Sequence, residues 1–153
     1  MSTAIWQSPL DLALANRLAL GTAVGHLGIE LTELGDDYLV GRMPVDERTR
    51  QPAGVLHGGA SVLLAETLAS WAATFCVDTR RSHCVGLEIN ANHLRPVTDG
   101  HVVGTARPLH LGRTTHVWQV EIENAARKPV CISRVTMAVL PVPSGYVPQG
   151  ERD

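Results

Sequence analysis

Large aromatic rings are scarce in this 153-residue chain, which has one Phe, two Tyr and three Trp. Its core must therefore come from Leu, Val, Ile and Ala, a composition that suits a tightly curved sheet closed around a small-residue helix. Charge of one sign is lacking too. Thirteen Lys and Arg stand against fifteen Asp and Glu, for a net charge of −2, and no basic run offers a surface for nucleic acid or anionic lipid. Cysteine is limited to Cys76, Cys84 and Cys131, an odd number with no C-x-x-C spacing and each in an apolar stretch. They read as free, buried thiols of a cytoplasmic protein. The seven histidines show no H-x-x-x-H spacing, so no metal site is expected. The first twenty residues lack a basic start and a small-residue cleavage site, and they carry Asp11 in their apolar part. They are not expected to be a secretory signal.

One long hydrophobic run is present. Residues 58–77 hold a single charge, Glu66, over a length near that of a membrane span. An acidic residue at the centre of a bilayer costs about 2.5 kcal/mol or more, and long alternating strands follow. A helix wrapped by its own sheet accounts for the run without a membrane. Projected at about 100° per residue, Leu64, Leu68, Trp71 and Phe75 share one face, and Glu66, Thr67, Ser70 and Thr74 form a polar seam opposite.

Around that helix the pattern predicts a short amphipathic helix over residues 9–20, including Leu10, then strands over 29–34 and 38–43 joined by a Gly-Asp-Asp turn. A polar, turn-rich loop covers 44–56. Four further strands are expected over 84–94, 102–108, 115–123 and 130–140. In the first of these Val85, Leu87, Ile89 and Ala91 share a face. In the third, His116, Trp118, Val120 and Ile122 do. The order is α+β, with an antiparallel sheet covering one central helix, the outline of a hotdog fold. The expected organisation is an N-terminal helical arm over 1–26, the sheet-and-helix domain over 27–140 and a loose tail over 141–153.

Glu is almost never fully buried without a partner, and no Lys or Arg lies within one helical turn of Glu66. A carboxylate so placed suits base or nucleophile chemistry. The helix is entered through His57-Gly58-Gly59, with Gln51-Pro52 six residues earlier. Glycines admit a ligand to the backbone, and the unpaired N–H groups of a first helical turn suit a developing oxyanion. Gly58 is the candidate donor, with Gln51 and His57 as polarising side chains. Eight residues separate Gly58 from Glu66, about 12 Å of helix, whereas a reacting carbon must lie about 3 Å from both base and oxyanion donors. Two antiparallel copies of the helix would bring Gly58 of one chain to Glu66 of the other, so a homodimer follows.

The segments VDERTRQPAGVLHGGASVLLAETLAS, VGLEINANHLRP and RPLHLGRTTHVWQVEI resemble the hotdog-fold acyl-CoA thioesterases of the phenylacetate-operon type, closest to the branch of the 1,4-dihydroxy-2-naphthoyl-CoA hydrolases and enterobactin-proofreading thioesterases. The resemblance covers about residues 27–140. It implies an enzyme that hydrolyses acyl-CoA, with an aromatic acyl group such as hydroxybenzoyl or dihydroxynaphthoyl. Glu66 would act as base or nucleophile, Gly58 N–H would hold the oxygen with Gln51 and His57, and Ser70 would position the water. It further implies contacts to coenzyme A by His93, Arg95, Gly112, Arg113 and Thr114, an acyl pocket that Thr74 lines, and a site shared across a dimer that pairs into a homotetramer. Coenzyme A is part of the substrate and no separate cofactor is implied. Two other readings remain: a hotdog enoyl-CoA hydratase or dehydratase, and a non-enzymatic acyl-CoA-binding module. The His-Gly-Gly loop and Gln51 favour hydrolysis.

Overall fold

The apolar run forms a long helix because it is rich in Ala and Leu and free of Pro and of internal Gly beyond its first turn. In the computed structural model, which describes residues 3–9 and 11–147, this helix is α3 (Gly58–Phe75), the last of three. Before it come α1 (Leu12–Ala19), α2 (Ala23–His26), β1 (Glu30–Leu34) and β2 (Leu39–Pro44), and after it β3 (Ser82–His93), β4 (His101–Leu111), β5 (Thr115–Asn124) and β6 (Pro129–Pro141). The six strands make one antiparallel sheet in the order β1-β2-β4-β5-β6-β3, bent around α3. This is the hotdog arrangement, with all six expected strands present. The four-residue α2 was not expected.

Small residues set how closely sheet and helix meet. Ala65, Ala69, Ala72 and Ala73 of α3 are fully buried. Gly41 of β2 and Gly104 of β4 pair across the sheet, and a Cβ on either would come within 2.7 Å of a Leu68 methyl. Leu68 thus sits in a dimple that two glycines leave open. Emptying such a buried site by Leu→Ala costs about 2–5 kcal/mol. On β5 the inward set is His116, Trp118, Val120 and Ile122, all buried as the alternation predicts.

On β3 the expected face is broken. A bulge between Gly86 and Glu88 leaves Leu87 outside the pairing, so Val85 and Leu87 are exposed, at 38% and 63%, while Ile89 and Ala91 pack on the core. One extra residue reverses the parity of the pleat. β3 is also a sheet edge, hydrogen-bonded to β6 alone over its whole length.

The N-terminal arm is tied down at both ends of the core. Trp6 Nε1–H donates to Gly35 O at 2.7 Å, and the N–H groups of Gln7 and Ser8 both donate to Phe75 O at the C-terminal end of α3. Asp11 caps α1 by accepting from Leu14 N–H at 2.8 Å. Asn16 exchanges two 2.9 Å bonds with the backbone of Leu31, covering the outer edge of β1. The expected helical residue Leu10 lies outside the described residues, as do 148–153 of the tail. Within the tail, Val142 N–H donates to Arg81 O and the Tyr146 ring stacks on His83.

Candidate active site

The loop before α3 is held by its own polar groups. Thr49, 1% exposed, bonds through its hydroxyl to Pro44 O and Asp46 N, and its carbonyl receives His57 N–H at 2.8 Å. Asp46 accepts from the Arg48 side chain and backbone, which holds its carboxyl below the ordinary value. His57 is the N-cap of α3, and its Nδ1 accepts from Gly59 N–H at 2.8 Å. A neutral ring that accepts at Nδ1 carries its proton on Nε2 and offers that N–H outward. Ala60 and Ser61 donate to His57 O, whereas Gly58 N–H has no acceptor among the described residues. The one unpaired N–H of this turn is the expected oxyanion donor. Gln51 is half-buried in the same loop, and its side chain has no hydrogen bond among the described residues.

Glu66 lies two turns further along α3, half-buried, with no hydrogen bond or ion pair to its carboxylate among the described residues. A capping or salt-bridging role is thereby removed. It lines a cavity of about 270 Å³ with Leu63, Thr67, Ser70, Trp71, Ala23 and Val24. Ser70 stands one turn beyond Glu66, as the seam predicts. Thr74 donates to Ser70 O at 2.8 Å and lines an adjoining cavity. Trp71 packs on the core beside Phe75 as the projection predicts, but it is only half-buried and also walls both cavities. Gly86, which sequence reasoning did not single out, lies under the carboxylate, where a Cβ would stand 2.5 Å from Glu66 Oε1.

The expected coenzyme A contacts divide into two groups. His93 leans over the start of α3, where a Cβ on Gly58 would lie 2.8 Å from its Nε2, and Arg95 bonds Pro129 O at 2.7 Å. Gly112, Arg113 and Thr114 form the β4–β5 turn, with Gly112 N–H on Thr115 O and Thr114 O receiving Val139 N–H. His93 pairs with Cys131 and Cys84 with Val139, so the groups sit at opposite ends of β6. Eight residues of strand separate them by roughly 27 Å. Gly58 and Glu66 are split the same way, one against His93 and the other against Gly86.

Burial pushes the Cys76 thiol up to about 12 and the Cys84 thiol up to about 11, which keeps both protonated and removes them as nucleophiles. No group of three or more His, Cys, Asp or Glu among the described residues is gathered to hold a metal ion, and no described helix is long and apolar enough to cross a membrane.

Residues 53–131 match the model of the Thioesterase superfamily. The chain is 47% identical over 136 residues to the 1,4-dihydroxy-2-naphthoyl-CoA hydrolase of Escherichia coli, covering 89% of this chain and 99% of that one. It is 49% identical over 137 residues to the proofreading thioesterase EntH of Cronobacter turicensis, covering 89% and 98%. The crystal structure of a mutant thioesterase from Pseudomonas aeruginosa superposes with a TM-score of 0.89 at 49% identity, over 91% of this chain and all of that one.

Proposed function

The chain belongs to the Thioesterase superfamily, and on that premise we propose that it hydrolyses an aromatic acyl-CoA to the free acid and coenzyme A in a site shared by two copies. The observation that carries this reading is the unbonded Glu66 carboxylate in a cavity beside Ser70, with an unpaired N–H at the start of the same helix. Water, held by Ser70, gives a proton to Glu66 as its oxygen attacks the thioester carbon. The carbonyl oxygen becomes an oxyanion bound by Gly58 N–H and polarised by His57 and Gln51. The C–S bond then breaks, and the proton on Glu66 passes to the departing sulfur. Losing one such oxyanion donor costs about 2.7–4 kcal/mol in a hydrolase. If the carboxylate attacks directly, the same residues serve, and single turnover in heavy-oxygen water leaves label on Glu66. Apart from water and the acyl-CoA, no other reactant enters either route.

Dimerisation follows from the split of the site, and β3 supplies the edge for it. Gly86 and His93 both face the core, and once the bulged Leu87 is passed over they are equally far from Asn90. A two-fold axis at Asn90, pairing β3 with β3 of a second copy, sets Gly86 opposite the second copy's His93. Neighbouring strands lie about 4.8 Å apart, so Glu66 over one and Gly58 over the other flank one thioester. The same axis sets Cys84 opposite Arg95 of the second copy. Cys84, Val139 and Thr114 follow one another across the sheet. Arg95 then comes within about three strand spacings, or roughly 14 Å, of the Gly112–Thr114 turn. Both halves of the phosphate set, His93 with Arg95 and Gly112 with Arg113 and Thr114, meet at one coenzyme A. We assign the tetramer to pairing of such dimers, and the enzyme to the cytoplasm.

The test is thiol release from benzoyl-, hydroxybenzoyl-, short-chain and crotonyl-CoA by purified protein. Turnover of the aromatic thioesters is expected. Conversion of crotonyl-CoA to hydroxyacyl-CoA without free thiol overturns the proposal in favour of a hydratase.

A further inference from the structure

Ser and Thr inside a helix commonly turn their hydroxyl back to the carbonyl four residues earlier. In the second half of α3 Thr74 follows that rule, donating to Ser70 O at 2.8 Å. Ser70 does not. Its hydroxyl leaves Glu66 O alone and donates instead toward the thioether of Met137, with Oγ 4.0 Å from Sδ, and it makes no other hydrogen bond among the described residues. Nor does it turn to the Glu66 carboxylate. Residues four apart are neighbours on a helix surface, and both side chains line the same cavity, yet the carboxylate stays without a hydrogen bond among the described residues.

Met137 stands where this contact bears on the site. It is fully buried on the inner face of β6, paired with Gly86 of β3 on one side and with His116 of β5 on the other. Gly86 is the residue beneath the Glu66 carboxylate, so Met137 lies one strand, about 4.8 Å, from the position under that group. Strand positions usually go to β-branched and aromatic residues. A methionine fills the same apolar space with a polarisable atom that also accepts a hydrogen bond, weak as that bond is.

A hydroxyl has one proton to give and two lone pairs to offer. With its O–H directed to Met137 Sδ, Ser70 can only accept from the attacking water. That water then donates one proton to Ser70 and the other to Glu66, and the lone pairs of its oxygen stay free for the thioester carbon. A Ser70 proton given to the water would occupy a lone pair that the attack needs, and one given to Glu66 would occupy the carboxylate that takes the water's proton. We propose that Met137 is a positioning residue for hydrolysis, its sulfur fixing the sense of the Ser70 hydrogen bond. The proposal rests on the reading of Glu66 and Ser70 as the pair that holds and deprotonates water.

The experiment removes the sulfur and little else. Norleucine carries a methylene in place of the thioether sulfur, and methionine occurs only three times, at positions 1, 43 and 137. Met43→Leu is a volume-conserving exchange in the core, away from both cavities, and in that background Met137 is the one internal methionine left to replace. On norleucine substitution kcat for benzoyl-CoA is expected to fall about three- to tenfold, the scale of one net hydrogen bond, with KM unchanged. Selenomethionine, which keeps a soft acceptor of the same shape, should retain the kcat of the methionine protein. In the full chain Met137→Leu should match norleucine, and its effect should vanish beside Ser70→Ala, so that the double variant is no slower than Ser70→Ala alone. A pure packing role makes Met137→Leu equally harmful whether or not Ser70 is present, and that result overturns the proposal. An undiminished kcat in the norleucine protein overturns it too. Either result beside normal turnover by the wild type sinks this proposal alone, whereas no thiol release from benzoyl-CoA by the wild type removes the Glu66 and Ser70 reading beneath it.

Discussion

Glu66 of α3 and Gly86 of β3 stand in direct contact: the carboxylate occupies the space that a side chain on Gly86 would need, with Oε1 2.5 Å from where a Cβ would be. Gly86 does not have a positive φ, so the glycine is there for space and not for backbone freedom. Gly86→Ala should therefore push the end of a flexible side chain aside at little cost to folding, while moving the carboxylate proposed as base or nucleophile. A fall in kcat of at least about tenfold is expected, since ångström-scale misplacement of a reacting group costs on the order of a hundredfold. Steady-state kinetics beside a thermal melt within a few degrees of wild type checks it, and unchanged kcat would separate Gly86 from the site.

Glu66→Gln keeps the size of the side chain and removes the charge. Because no hydrogen bond or ion pair among the described residues holds the carboxylate, the fold does not depend on it. Thiol release should fall by about 10²–10⁴, the range of a lost general base, with the melting temperature unchanged. Wild-type turnover by this variant would end the case for Glu66.

Most of the frame was legible because alternation and an apolar run are long signals: the four strands after α3 run for ten to thirteen residues, and α3 for eighteen. What was not legible is local. The bulge at Leu87 adds one residue to β3, and counting residues along a sequence assigns Val85 and Leu87 to the core face when pairing puts them outside. The projection placed Trp71 on the face it shares with Leu64 and Leu68, but angle alone does not tell a ring that only packs on the core from one that also walls a cavity. His57 was found through its position at the helix entry, while its capping bond was not, since His is not among the usual N-cap residues. His93 was singled out only through the resemblance, and it is the fold that brings it to Gly58.

The proposed two-fold axis at Asn90 has a direct chemical readout. Asn90 lies on the outer, exposed face of β3, and a residue on a two-fold axis between antiparallel strands faces its own copy at a Cα separation of about 4.5–5.5 Å, within disulfide reach. Asn90→Cys should give a covalent dimer under mild oxidation, seen on a non-reducing gel. Ser82→Cys, at the far end of the strand, should not. Cross-linking at residue 82 but not at residue 90 would place the axis elsewhere, and with it the proposed meeting of Glu66 and Gly58.

A last prediction concerns His116, which is 4% exposed on the inner face of β5 with its Nδ1 unpaired among the described residues. Burial lowers its pKa below the ordinary 6.5, the neighbouring His110 adds to the shift, and a backbone hydrogen bond with Gly112 opposes it. In the unfolded chain the ring regains its ordinary value, so below about pH 6.5 the unfolded state binds the proton that the folded state refuses. The stability linked to this group is thus fully present above that pH and is lost as pH falls toward the depressed folded value. His116→Phe removes the titrating ring while keeping an apolar body beside Trp118, whose ring meets His116 edge-on at 6.4 Å. Thermal melts of wild type and variant between pH 8 and pH 5 should diverge, with the wild type losing the more stability below about pH 6.5. The Asp46 carboxyl, held below its ordinary 3.8 by Arg48, titrates in a more acid range and leaves this window clear. Parallel curves for the two proteins would mean that the imidazole is not refusing a proton in the fold.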